Sequence, residues 1–234
     1  MKEKFNFNQN LLKLTSIVSM TIDHAGKLLF DSQDVFGTHL GRIAMPIFAF
    51  LLVYNYLYHT KNPINYIKRI FLFGIISQVP FIMAFNLPPI FLNILFSLAF
   101  IALTLMVTGN KVKTSNLGYY LVILGLLALY LLIRKFNVPL HFEYGFTGLA
   151  FGVSIYTFLV HRTPDYFAYT LIFLYLLNES VVSFILLMIY LPPIFFLANK
   201  NMRELRFVSS YKFLFYAYYP LHLLLLVLMS KLIG

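Results

Sequence analysis

The apolar residues of this chain are divided into long segments separated by short polar breaks, and this division constrains the fold most strongly. The segments run over about 14–22 residues, and a helix that rises about 1.5 Å per residue needs about 20 residues to cross a hydrocarbon core. The predicted segments are nine, at 11–30, 40–60, 66–85, 92–109, 117–134, 145–160, 165–178, 180–198 and 211–232. We therefore predict an all-α integral membrane helix bundle with about nine transmembrane helices, or eight to ten if a break is misplaced.

Composition excludes the soluble and disordered classes. Of the 234 residues, 60% are hydrophobic and only 11% are charged, whereas an ordinary soluble domain carries about 25% charged residues. Disorder would need low hydrophobicity instead. With no internal repeat and no soluble domain, residues 1–234 are predicted to form a single transmembrane domain.

The distribution of charge predicts orientation and location. Most of the 18 Lys and Arg fall in loops on one side if the N-terminus is cytoplasmic, as the positive-inside rule requires. We therefore predict a multi-pass protein of the inner (cytoplasmic) cell membrane, with the lipid bilayer as a partner. The net charge of +10 lies in loops rather than on a polar face, so no nucleic-acid partner is expected.

Several kinds of site chemistry are missing from the sequence. The chain has no Cys, which excludes disulfides and thiol catalysis. Its six His residues show no metal-ligand spacing, and no Gly-rich phosphate loop is present. We therefore expect no metal.

Asp23 and His24 are ionisable residues inside the first apolar segment. If that segment enters the membrane near Leu11, His24 lies about 20 Å from the cytoplasmic boundary. Ionisable residues at such depth usually face a bundle interior or a watery cavity. An ion pair of Asp23 with Lys27 is the structural alternative, although it leaves the histidine unexplained.

His222 is the corresponding residue in the last segment. Counted from Lys212, it lies about 15 Å deep, so both histidines fall in the middle to outer part of the membrane. A shared site is compatible with this depth. Equally, His222 could be satisfied locally by Tyr218, Tyr219 or the carbonyl that Pro220 exposes.

Further polar residues lie in the neighbouring segments. Arg42 begins the second segment, Gln78 precedes Pro80 in the third, and Asn93 and Ser97 are four residues apart in the fourth. Each alone fits packing or interhelical hydrogen bonding, but their concentration toward one side favours a site.

Five short motifs, taken in order, resemble the TraX family. They are Asp23-His24, Gly41-Arg42 with Pro46 and Phe48, Ser77-Gln78 with Pro80, Leu92-Asn93 with Leu95-Phe96, and Tyr219-Pro220-Leu221-His222. A member of that family acetylates the N-terminus of F-type conjugative pilin, and the family resembles the wider class of transmembrane acyltransferases.

The resemblance implies an integral membrane acetyltransferase that uses acetyl-CoA. It implies that His24 is the catalytic histidine, that Asp23 orients it, and that His222 belongs to the same catalytic group. The predicted substrate-binding residues are Arg42, Gln78, Asn93, Ser97 and Tyr219. The acceptor would be a pilin N-terminus or an amine or hydroxyl of the cell envelope at the outer side.

The cytoplasmic loops offer cations for the phosphates of acetyl-CoA, and we predict Lys61, Lys68 and Arg69 for this role. The positive-inside rule alone also accounts for them. His24 would act as a general base or as a transient acetyl carrier, and the sequence leaves both routes open.

Two other functions remain alternatives. A small secondary transporter would also use buried ionisable groups and broken helices, although no inverted repeat is visible. A non-catalytic membrane partner in pilus or secretion assembly would not depend on either buried histidine.

Overall fold

The fold is nine α-helices within the residues that the computed structural model describes, which are 7–30, 39–137, 141–178, 180–200 and 214–233. The helices are α1 (Gln9–Leu29), α2 (Ala44–Tyr58), α3 (Pro63–Phe85), α4 (Ile94–Thr114), α5 (Asn116–Lys135), α6 (Gly145–His161), α7 (Pro164–Asn178), α8 (Val181–Lys200) and α9 (Leu214–Ile233). Two strands of two residues each, β1 (Phe91–Leu92) and β2 (His141–Phe142), pair in parallel. The all-α prediction is confirmed, and each helix coincides with one predicted segment to within a few residues.

Several of these helices are long and apolar enough to cross a membrane. The six stretches in the described residues that meet this criterion are His39–Tyr58, Pro63–Phe85, Ile94–Thr114, Asn116–Lys135, Val181–Asn199 and Phe215–Ile233. The chain is therefore a multi-pass membrane protein. Helix α1, which carries Asp23 and His24, is not among the six. A count of nine spans and a cytoplasmic N-terminus stay predictions.

The described residues divide into two compact units, and boundaries between them fall inside α2 and α3. The central unit contains Leu52–Ile75 and Pro88–Leu177, and the terminal unit contains the described residues within Glu3–Leu51, Ile76–Leu87 and Asn178–Gly234. A single domain over residues 1–234 stays a prediction.

In the central unit, α4, α5 and α6 pack closely because glycines replace side chains at two contacts. A Cβ on Gly118 would lie 2.2 Å from the carbonyl oxygen of Lys111, and a Cβ on Gly152 would lie 2.4 Å from Ile101 Cγ2. At the end of α4, His161 Nε2 donates to the Val112 carbonyl at 3.0 Å. The hydrogen bond satisfies one of the carbonyls that a helix end leaves without an intrahelical partner.

In the terminal unit, α1 packs against both α8 and α9. Asn8 caps α1, since its side chain accepts hydrogen bonds from the N–H groups of Asn10 and Leu11. The backbone N–H of Asn8 also donates to the Ala198 carbonyl at 2.9 Å, which fixes the start of α1 beside the end of α8. This arrangement brings the first and last helices of the chain together.

Candidate active site

Two buried histidines, His24 on α1 and His222 on α9, contact each other directly in the terminal unit. His24 Nδ1 lies 2.9 Å from His222 Nε2, and the two ring planes are inclined by only 9°. Both residues are almost fully buried, with 6% of His24 and 5% of His222 exposed. The first and last predicted segments therefore meet at one hydrogen bond between histidines.

The tautomer of each histidine follows from its partners. His222 Nδ1 lies 2.9 Å from the carbonyl oxygen of Tyr218, and a carbonyl can only accept, so Nδ1 of His222 carries the proton. In the neutral ring, Nε2 of His222 is then an acceptor, and Nδ1 of His24 must donate to it. This chain of hydrogen bonds leaves Nε2 of His24 as its unprotonated, basic nitrogen.

Aromatic side chains enclose the histidine pair. Tyr218 lies parallel to the His222 ring at 5.0 Å, and Phe85 of α3 meets His24 edge-on at 5.1 Å. Tyr219, a predicted substrate-binding residue, lies with its ring centroid 6.5 Å from that of His24. These rings surround both imidazoles and hold them in place.

A hydroxyl chain ties α1 to α9 next to the pair. Thr21 Oγ1 donates to the Ile17 carbonyl at 2.7 Å, so its single proton is committed there. The hydroxyl of Tyr218, 2.7 Å away, therefore donates to Thr21 Oγ1. The contact fixes Tyr218, whose carbonyl sets the tautomer of His222.

Asp23 is placed differently from its predicted role. Its carboxylate forms an ion pair with Lys27 at 2.6 Å, as the structural alternative expected, and lies 3.9 Å from Nε2 of His24. That distance is too long for a hydrogen bond. The structure thus gives His24 a different hydrogen-bond partner, His222, and an orienting role for Asp23 stays a prediction.

Gly41 allows the turn before α2 to approach Asp23. A Cβ at this position would lie 2.2 Å from Cβ and 2.6 Å from Cγ of Asp23, so no larger residue fits without displacement. The next residue, Arg42, is half-buried and interacts electrostatically with the same carboxylate. Asp23 is therefore held beside His24 by its ion pair with Lys27 and by the close approach of the backbone at Gly41.

Gln78 also lies in the terminal unit. It is half-buried on α3, seven residues before Phe85, and a separation of seven residues places both on the same side of a helix. Gln78 is thus on the side of α3 from which Phe85 reaches His24. Its predicted role in substrate binding stays a prediction.

Asn93 and Ser97 belong to the central unit, where Asn93 forms two structural hydrogen bonds. Its side-chain oxygen caps α4 by accepting from the Leu95 N–H at 3.0 Å, and its amide nitrogen donates to the Gly74 carbonyl at 2.9 Å. Ser97 is buried within α4. Asn93 thus precedes α4 and caps it, and the predicted roles of Asn93 and Ser97 in substrate binding stay predictions.

Comparisons with known proteins show where the chain belongs. A family model described as TraX protein matches residues 8–230. The chain belongs to the TraX family.

Two curated proteins are similar to this TraX-family chain. It is 28% identical, over 97% of both chains, to a protein of Dichelobacter nodosus named probable fimbrial assembly protein FimC, serogroup H1. It is 37% identical over 78 residues, 33% of this chain and 28% of the relative, to an uncharacterised protein of Rickettsia prowazekii (strain Madrid E). No solved structure matches it.

The predicted phosphate-binding cations of this TraX-family chain lie at the start of α3, in the central unit. Lys61, Lys68 and Arg69 are all exposed, and the guanidinium of Arg69 lies over the Tyr66 ring at 5.7 Å. Exposure leaves them accessible to an anionic ligand, and binding of acetyl-CoA there stays a prediction.

One polar pair of this TraX-family chain was not predicted from the sequence. His39 Nδ1 lies 2.8 Å from Ser183 Oγ in the terminal unit. His39 flanks the predicted segment 40–60, and Ser183 lies near the start of the predicted segment 180–198, so neither residue stood out in the sequence. The one sign of this pair in the sequence was that a histidine and a serine both lie at the predicted outer ends of their helices.

Proposed function

We propose that this protein is an acetyltransferase of the cytoplasmic membrane that moves an acetyl group from cytosolic acetyl-CoA to an acceptor at the outer side. The observation that carries the proposal is the buried His24–His222 pair, in which hydrogen bonding leaves Nε2 of His24 as a base. Such a base contributes typically about 10²–10⁴-fold to a proton-transfer step.

His24 acts as the general base. A neutral amine of the acceptor attacks the thioester carbonyl carbon, and its proton passes to Nε2 of His24 as the C–N bond forms. The C–S bond then breaks, and the thiolate of CoA receives that proton from the His24 imidazolium. The products are an acetamide and free CoA, and His24 returns to its neutral form.

Asp23 and His222 assist that step in different ways. His222 holds the ring of His24 and accepts from its Nδ1–H in both protonation states. Asp23, 3.9 Å from Nε2, stabilises the positive charge while the imidazolium exists. An aromatic, water-poor surrounding strengthens that attraction.

The acceptor is proposed to be the N-terminal amine of a pilin-like protein. The fimbrial assembly name of the Dichelobacter nodosus relative supports a substrate of this class. An envelope amine or hydroxyl would use the same base. The phosphates of the donor are proposed to bind Lys61, Lys68 and Arg69, where Arg supplies bidentate contacts to phosphate oxygens.

The test is a transfer assay in proteoliposomes, with acetyl-labelled acetyl-CoA and a synthetic peptide that has a free N-terminal amine. The same peptide with a blocked amine is the control. Wild type should label the free peptide, and His24→Ala should lower the rate by about 10²–10⁴-fold. His141→Ala, which removes an exposed histidine in β2, should leave the rate unchanged.

Two results would overturn the proposal. One is full transfer by a folded His24→Ala variant. The other is failure of wild type to bind CoA in a titration, because an acetyltransferase must bind its donor and a transporter or scaffold need not. Uptake of a solute by the same vesicles without consumption of acetyl-CoA would favour the transporter.

The phosphate contacts are tested separately by the combined change Lys68→Ala and Arg69→Ala. We expect a higher KM for acetyl-CoA at nearly constant kcat, since these residues bind the donor equally in the ground and transition states. An unchanged KM would mean that these cations do not bind the donor and serve only to orient the chain in the membrane.

A further inference from the structure

The terminal unit contains a second pair of chemically competent side chains, His39 and Ser183. His39 belongs to the helical turn at 39–41, and Ser183 is the third residue of α8. His39 Nδ1 lies 2.8 Å from Ser183 Oγ. Ser183 is 2% exposed, whereas His39 is half-buried. A hydroxyl within hydrogen-bond reach of an imidazole is the arrangement of an activated nucleophile and its base.

The start of α8 supplies a third element of acyl-transfer chemistry. Ser180 caps this helix, because its side chain accepts from the Ser183 N–H at 3.4 Å and its carbonyl accepts from the Phe184 N–H at 3.0 Å. Ser183 therefore lies in the first turn, beside N–H groups that have no intrahelical partner. Such N–H groups and the helix dipole stabilise negative charge that develops on an oxygen.

The pair is linked to the His24 site through the residues next to His39. The Leu40 carbonyl accepts a hydrogen bond from the hydroxyl of Ser19 on α1, and Gly41 packs against Asp23. The turn that carries His39 thus lies against the part of α1 that leads to His24. The His39 turn and the His24 site therefore adjoin each other, through the contacts of Leu40 and Gly41 with α1.

We propose that Ser183 is a second acyl-transfer residue, which carries the acetyl group as an ester between donor and acceptor. The inference rests on the proposed acetyltransferase function and replaces the direct attack of the amine on the thioester with two steps through an ester of Ser183. His39 serves as the base for Ser183, and His24 as the base for the acceptor. Burial of Ser183 shields the ester from hydrolysis.

The transfer proceeds in two half-reactions. Ser183 Oγ attacks the thioester carbonyl carbon and its proton passes to Nδ1 of His39. The C–S bond breaks, and the CoA thiolate receives that proton, which leaves acetyl-Ser183. The acceptor amine next attacks the ester carbonyl and gives its proton to His24. The C–O bond breaks, and Oγ of Ser183 takes that proton from the His24 imidazolium as the acetamide leaves, which returns both residues to their neutral forms.

The experiment traps the ester by leaving out the acceptor. Purified full-length protein in proteoliposomes is incubated with acetyl-CoA, quenched in acid, and analysed by intact mass and peptide mapping. Wild type should gain one acetyl group at Ser183. Ser183→Ala should gain none and lose transfer to the peptide amine, whereas Ser230→Ala, which removes a half-buried serine of α9, should behave as wild type.

Two further variants separate chemistry from structure. Ser183→Cys keeps a nucleophile of similar size and should still gain an acetyl group, now as a thioester that hydroxylamine releases. His39→Ala should slow acetylation of Ser183 without changing the helix content measured by circular dichroism.

The outcomes distinguish this inference from the function on which it rests. If wild type transfers acetyl to the peptide and Ser183→Ala does so equally well, the covalent step is refuted and the acetyltransferase stands. If wild type transfers no acetyl group and binds no CoA, the proposed function itself fails. Acetylation at a residue other than Ser183 also refutes the inference.

Discussion

Replacement of His222 provides a sharp test of how the base is oriented, because two amides mimic opposite nitrogens of its ring. The amide of Asn occupies the place of Nδ1, which donates to the Tyr218 carbonyl at 2.9 Å. The amide of Gln reaches the place of Nε2, which accepts from His24 at 2.9 Å. His222→Gln therefore keeps the partner of His24, and His222→Asn removes it.

The magnitude follows from the hydrogen bond that His222→Asn removes. His24 is 6% exposed, and a buried donor left without its partner costs about 1–3 kcal/mol. His24 can avoid that cost by changing tautomer or ring position, so the fraction with a basic Nε2 falls. At about 1.36 kcal/mol for each factor of ten, the expected loss in kcat/KM is about 5–150-fold. His222→Gln should lose only a few-fold.

The assay is peptide acetylation by proteoliposomes, read beside the ¹⁵N spectrum of protein labelled at histidine. The spectrum of wild type should show both His24 and His222 protonated at Nδ1, which is the less common tautomer in solution. In His222→Gln the His24 signal should be retained, and in His222→Asn it should change. Equal activity of the two variants, or a His24 protonated at Nε2 in wild type, would refute the orientation argument.

Two stability predictions concern residues that the structure places in tight or polar contacts. Gly41→Ala should destabilise the protein by about 1–3 kcal/mol through overlap with Asp23. Gly26→Ala, where nothing lies within 4 Å of the added Cβ, should be neutral or slightly stabilising. Thermal unfolding in detergent, followed by circular dichroism, compares the two variants, and equal losses of stability would contradict the close contact at Gly41. Asn93→Ala should cost about 1–3 kcal/mol because it removes a helix cap and a buried hydrogen bond. Ser97→Ala should cost little, since its buried hydroxyl has no hydrogen-bond partner among the described residues, and a larger loss than that of Asn93→Ala in the same melts would reverse the assignment.

The helices were predictable because their apolar runs are long and their breaks are polar. Asn93 shows the limit of that pattern. It stands between apolar neighbours and was counted inside a segment, although an Asn before an apolar run is also a helix-start signal. The cap could therefore have been predicted from the sequence. The second hydrogen bond of Asn93, to the carbonyl of Gly74, depends on packing between helices and could not.

The site was predictable in its residues but not in its connections. Depth along two helices suggested that His24 and His222 share a site, yet nothing in one sequence pairs residues 198 positions apart. The resemblance to the TraX family predicted Asp23, the residue next to His24 in the chain, as the orienting group. Adjacent residues of a helix point in directions about 100° apart, and the His24 ring nitrogen instead reaches α9.

The contact between His24 and His222 also has a consequence for biosynthesis. Helix α1 is synthesised long before α9, so His24 is at first without the imidazole that orients it. Contacts of such sequence separation form late because loop closure must precede them. A ribosome-bound chain that stops before α9 contains His24 and Phe85 but lacks His222 and the two tyrosines beside it, so the imidazole of His24 is not oriented. On the proposed function, acetyl transfer would begin only after α9 has inserted beside α1, which makes activity a report on the insertion of that helix.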